Sequence, residues 1–182
     1  SPPEVIEITR RWISSVVVCM AALLATCAGD QTLNLGQEID GCRPSLMASD
    51  PIHPGELRAS SDTAIEAWAL IFQTWETREA QELLLPAERE VKIVWRSTGS
   101  GEADLSARDA SGLEIEPDWG PQPHLSSNWS RPGEEWGTGW TFPSEGCWTI
   151  TIERGQSQAW LVALVQDQSR FNFPIPEAGG SN

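Results

Sequence analysis

A formal charge of -14, from 12 basic against 26 acidic residues, excludes the phosphate contacts that nucleic-acid binding requires, so no nucleic acid is expected as a partner. At 182 residues and 40% hydrophobic content, the chain is too apolar for a disordered acidic tail, and one domain is expected once a targeting segment is set aside. Ten Trp, four Phe and no Tyr place all aromatic packing and recognition on Trp and Phe.

Residues 1–27 read as an export signal with a helical apolar stretch. Arg10 and Arg11 precede an apolar run from Trp12 to Ala25, and no charge follows until Asp30. That run is shorter than the roughly 20 apolar residues of a bilayer-spanning helix and fits a signal peptide, with a retained N-terminal anchor as the competing reading. Leu24-Ala25-Thr26-Cys27 resembles the bacterial lipobox, with Thr26 departing from the usual Gly, Ala or Ser before the cysteine. The resemblance implies a lipid on Cys27 that holds an extracytoplasmic domain at the cell membrane. Cleavage after Ala28, giving a secreted soluble protein without a lipid, is the alternative.

Residues 28–61, rich in Gly, Pro, Asp and Ser, read as a flexible tether and entry segment. Cys19 leaves with the signal and Cys27 is lipidated or removed, so Cys42 and Cys147 remain for the domain, and export predicts a disulfide between them. Residues 62–170 carry the domain. Ala64 to Trp75 has both helical and strand spacing, and its β neighbours tilt it to strand. Glu76 to Glu90 is charged and reads as a loop or a helical turn. Val91, Ile93 and Trp95 alternate as a half-buried strand, and Ala103 to Ile115 reads as a hairpin turning at Asp109-Ala110-Ser111-Gly112. Pro117 to Glu135 reads as a long loop of the kind that often carries function. Strands resume at Gly137 to Phe142, Cys147 to Ile152 and Trp160 to Leu164. On the second of these, Trp148, Ile150 and Ile152 should face the core, leaving Cys147, Thr149 and Thr151 outward. About seven strands at turn-punctuated spacing predict an all-β antiparallel sandwich. A Pro- and Gly-rich tail of 171–182 follows.

From Val91 onward four pieces occur in order: Lys92 to Arg96 (KIVWR), the Gly99 to Gly101 turn, Ser127 to Gly139 (SNWSRPGEEWGTG) and Phe142 to Trp148 (FPSEGCW). Together they resemble a group of exported bacterial lipoproteins, a likeness that covers the C-terminal half of the domain and implies no activity. Pro143-x-x-Gly146-x-Trp148 is similar to the corner entering the penultimate strand of immunoglobulin-like domains, which implies an immunoglobulin-like fold and nothing of function.

Catalysis is not expected. His53 and His124 are the only histidines, and no GxSxG, HExxH or SxxK pattern occurs. No metal or cofactor is expected either. A blue-copper site would need a His and a Met after Cys147, and neither is there; calcium through Asp109 or Asp118 stays open, without an EF-hand loop. The feature that can carry recognition is the Trp-rich stretch. Trp119, Trp129, Trp136 and Trp140 fall within twenty-two residues, together with His124 and Arg131. Exposed, these rings would meet a protein or glycan partner; buried, they fill a core that lacks Tyr. Gly137 and Gly139 beside Trp136 and Trp140 point to rings packed over bare backbone. The sequence therefore predicts a non-enzymatic envelope protein acting through this stretch, with a carbohydrate-binding module as the alternative.

Overall fold

The computed structural model describes residues 35–48, 52–72, 81–167 and 169. The chain divides into two compact units, 1–31 and 32–182, and all that follows concerns the second. The signal, Cys27, part of the charged segment before residue 81 and the tail of 171–182 lie outside the described residues.

Two sheets form a sandwich. Along the chain run β1 (Glu56–Arg58), β2 (Ser60–Ser61), β3 (Ala67–Ile71), β4 (Leu84–Pro86), β5 (Glu90–Ser97), β6 (Ala103–Asp109), β7 (Glu114–Ile115), β8 (Trp119–His124), β9 (Glu134–Thr141), β10 (Gly146–Arg154) and β11 (Ser157–Gln166). One sheet has the order β1-β3-β5-β9-β8; the other has β2-β11-β10-β6-β7, with β4 added in parallel to the end of β11. Seven of these strands are five residues or longer, and they make the antiparallel framework that the turn spacing implies.

The core explains the alternation. Val91, Ile93 and Trp95 of β5 point inward, as do Trp136 and Trp140 of β9, Leu105 and Ala107 of β6, and Trp148, Ile150 and Ile152 of β10. Large rings meet small partners: Trp95 pairs across the sheet with Ala69, and Trp148 with Ala163. Such pairing lets bulky side chains fill the space between sheets at crystal-like density without strain. Phe142 packs edge-on against Trp148, with ring centroids 5.4 Å apart, and stacks with Trp140 at 6.2 Å. The indole N–H of Trp140 donates to Thr138 Oγ1, and that of Trp148 to the Ser144 carbonyl, so both rings bury their area with the polar tip satisfied.

Arg154 closes one end of the sandwich. Its buried guanidinium donates to the carbonyls of Gly101 and Ser97 and to Glu134, and lies 4.3 Å over the Trp136 ring. One side chain of β10 thus grips β9, the end of β5 and the turn after it. The hairpin from β6 to β7 turns as expected, with Asp109 Oδ1 accepting the N–H groups of Ser111 and Leu113 and the Ser111 hydroxyl. The Ser111 hydroxyl first, and then these N–H groups, hold the Asp109 carboxyl below its usual range.

Two expectations change. The entry segment is more than a tether, because β1 and β2 belong one to each sheet and Leu57 is fully buried. Ahead of them Leu35 and Ser45 bridge a small hairpin, the Ser45 N–H donates to the Val162 carbonyl, and Ser45 Oγ accepts the Val162 N–H. These residues complete the outer edge of β11, where open backbone groups would otherwise face water or another chain. The stretch Pro117 to Glu135 is not wholly loop either: β8 pairs antiparallel with β9. Pro121 and Pro123 hide it, since Pro cannot donate within a sheet and is tolerated only at an edge, which is where β8 lies.

Cys42 and Cys147 form a disulfide with a Cα separation of 5.3 Å. Cys147 sits half-buried on the outward register of β10, opposite the core residues Trp148, Ile150 and Ile152, and the entry segment reaches it from that side.

Candidate functional site

The outward face of the five-stranded sheet collects the chemistry. By register Glu56 and Arg58 of β1, Trp68 and Leu70 of β3, Lys92, Val94 and Arg96 of β5, and Glu135, Gly137 and Gly139 of β9 share it. The connection from β8 to β9, residues 125–133, folds back as a strap that bonds to three of these strands. Arg96 Nε on β5 donates to the Gly133 carbonyl; Arg131 lies 3.9 Å over the Trp68 ring of β3; and Arg131 and Trp129 reach Glu56 of β1.

Gly133 makes the close approach possible. It has φ of 92°, and a Cβ there would overlap the Ser97 carbonyl, so only glycine lets the strap start its return against the end of β5.

Glu56 anchors the far end. Its side chain has no exposed surface, yet both carboxylate oxygens are bonded: Oε1 to Arg131 Nε at 2.6 Å and to the Trp129 indole N–H at 2.7 Å, Oε2 to Arg131 Nη2 at 2.6 Å. The Arg131 hydrogen bonds are the chief reason its carboxyl is held below the usual range; the Trp129 N–H and the charges of Arg131 and His53 add to this, and burial opposes it. The near end of the strap is closed by His124 Nδ1 and Glu135 Oε1 at 3.0 Å. Glu135 is 5% exposed and its second oxygen has no hydrogen bond, so this carboxylate depends on His124.

The six residues singled out from sequence divide by role. Trp136 and Trp140 belong to the core between the sheets; Trp129 is buried with its indole on Glu56; Arg131 is paired with Glu56, and His124 with Glu135. Trp119 is half-buried, and it packs over Gly139 and Gly137, with His124 beside it on Gly137. Rings do pack over bare backbone here, but they belong to Trp119 and His124, because Trp136 and Trp140 point to the opposite face of β9. Gly139→Ala should therefore push the Trp119 ring off the sheet at a cost of about 1 to 3 kcal/mol. Urea unfolding should show a lower midpoint with an unchanged slope.

Glu56 is the functional residue that sequence reasoning misses, since nothing around Gly55-Glu56-Leu57 marks an isolated glutamate as buried. Among the described residues, no group of three or more His, Cys, Asp or Glu is placed to hold a metal ion. Three of the four Trp residues in the stretch have no exposed face, so the pair of coplanar rings that a sugar platform needs is not formed among them. The strap displays Leu125, fully exposed, followed by exposed Ser126, Ser127 and Asn128, an uncharged tip on an acidic protein. Compared with known proteins, the chain matches no family model, no curated protein and no solved structure.

Proposed function

We propose that the chain is an exported, lipid-anchored, non-enzymatic protein of the cell envelope whose sandwich makes protein contacts through the strap between β8 and β9. The observation that carries this reading is the Cys42–Cys147 disulfide, which joins the entry segment to β10. Disulfides persist in oxidising compartments outside the cytosol, in keeping with the signal-like run and the lipobox-like Cys27. The strap is the surface best suited to a partner, because hydrogen bonds at both ends fix a loop whose tip is exposed and uncharged. Such preorganisation reduces the ordering cost of binding. A sugar platform is the weaker reading, since it relies on rings that are mostly buried.

Anchoring is tested in a bacterial host by detergent phase partitioning and mass measurement of the intact protein. The wild type should enter the detergent phase carrying lipid, and Cys27→Ser should lose both the lipid and the partitioning. Recovery of the serine variant in membranes at unprocessed mass would instead identify a retained N-terminal anchor. A lipid-free wild type in the aqueous phase would mean ordinary secretion.

A further inference from the structure

We infer that the outward face of the second sheet carries a glycan site: a trough floored by Ser106, Thr149 and Thr151 and bordered by the Trp160 ring, which takes a short neutral oligosaccharide. It lies on the sheet opposite the strap, so it stands independently of the protein-contact reading above.

Register sets the arrangement. The residues of β6, β10 and β11 that face away from the core alternate with Leu105 and Ala107, with Ile150 and Ile152, and with Ala159 and Leu161. Thr151 stands between Ser106 on one neighbouring strand and Trp160 on the other, and Thr149 between Arg108 and Val162. Strands about 4.8 Å apart place both rows within reach of one sugar chain. The floor side chains are short and those around them long, so the face is concave. Arg108, Asp109, Glu114, Glu153 and Gln158 rim a volume of about 460 Å³, with Cys147 also lining it. That volume is in the range of small-ligand sites. The floor is also rigid, because β10 is paired along both of its sides.

The chemistry selects the ligand. Among the described residues, the hydroxyls of Ser106, Thr149 and Thr151 and the indole N–H of Trp160 bond to no protein group. Each hydroxyl can both donate and accept, as the hydroxyls of a sugar do. The cross-strand neighbours of Trp160, Thr151 and Ser60, are too small to cover its ring, which is partly exposed. An indole face of this kind packs against the C–H face of a pyranose. The rim adds acceptors in Glu153 and in the carbonyl of Gln158, whose amide donates to Asp62 at 3.1 Å. Arg108 and Glu114 bond to each other at 2.6 Å and fix the wall beyond β6. With one cation against three carboxylates on the rim, and a net charge of -14, a sulfated or uronic-acid glycan is disfavoured.

The test titrates the full chain with the hexaoses of cellulose, xylan, mannan, amylose and chitin while the Trp indole N–H resonances are followed. At least one of the five should shift the Trp160 resonance saturably and leave that of Trp119, on the other sheet, in place. Hexagalacturonate should not compete. Calorimetry of the variants then reads the affinity for that sugar. Trp160→Ala should weaken binding about tenfold or more. Thr151→Val, which keeps the shape and removes only the hydroxyl, should weaken it about fivefold and still fold. Trp119→Ala should bind as the wild type does. No movement of Trp160 with any of the five sugars would overturn the site, as would unchanged affinity in Trp160→Ala or in Thr151→Val. A Trp160 shift with tetra-lysine and with none of the sugars would overturn it too, by assigning the trough to a basic peptide.

Discussion

The variant C42S/C147S should lose about 4 kcal/mol of unfolding free energy, the largest loss expected from any pair of substitutions that leaves the core intact. The bridge closes a separation of 105 residues, spanning most of the sandwich, and a loop that long removes much of the freedom of the unfolded chain. A second effect acts on the folded state. Cys42 is buried, and Ser45, three residues on, is bonded to Val162 at the edge of β11, so without the bridge this stretch relies on a few hydrogen bonds. Urea unfolding of the double serine variant should show a lower midpoint. Hydrogen exchange should locate the first loss of protection at residues 35–48 rather than in β5 or β9. Equal stability of the two proteins would mean that the edge contacts alone fix the segment.

The parts of this fold that were legible are those whose pattern spans several residues. Val91 to Arg96 and Cys147 to Ile152 alternate long enough to give both strand and face, and the outward position of Cys147 followed from the apolar set Trp148, Ile150 and Ile152. What stayed hidden was either short or made at a distance. Strands β1, β2, β4 and β7 have two or three residues each, too few to show a period of two. β8 reads as loop because Pro121 and Pro123 are turn residues everywhere except at a sheet edge. In the site, the Trp-rich stretch was recognisable from composition, but its partner was not. Glu56 lies 75 residues before Arg131, and local sequence cannot reveal a pairing made by the meeting of β1 with a returning strap.

That pairing carries the second large expected effect. Glu56→Gln should cost about 3 kcal/mol, at the low end of what is lost when one member of a buried ion pair is removed, because Arg131 keeps a third of its side chain in water. The amide can still accept the Trp129 N–H but no longer opposes the charge of Arg131, so the strap loosens first. Limited proteolysis should then cut within residues 125–133 faster than in the wild type. The effect must also depend on pH in one direction. The folded-state pKa of Glu56 lies below its ordinary value of 4.5, chiefly because Arg131 bonds to the ionised form. Its contribution is therefore fully present above the unfolded-state pKa and fades as pH falls through the folded-state pKa. The stability difference between wild type and Glu56→Gln should accordingly be largest near neutrality and shrink on acidification below about pH 4. A difference that stayed constant from neutral to acidic pH would show that the glutamine acts through packing, and that the charge of Glu56 does not hold the strap.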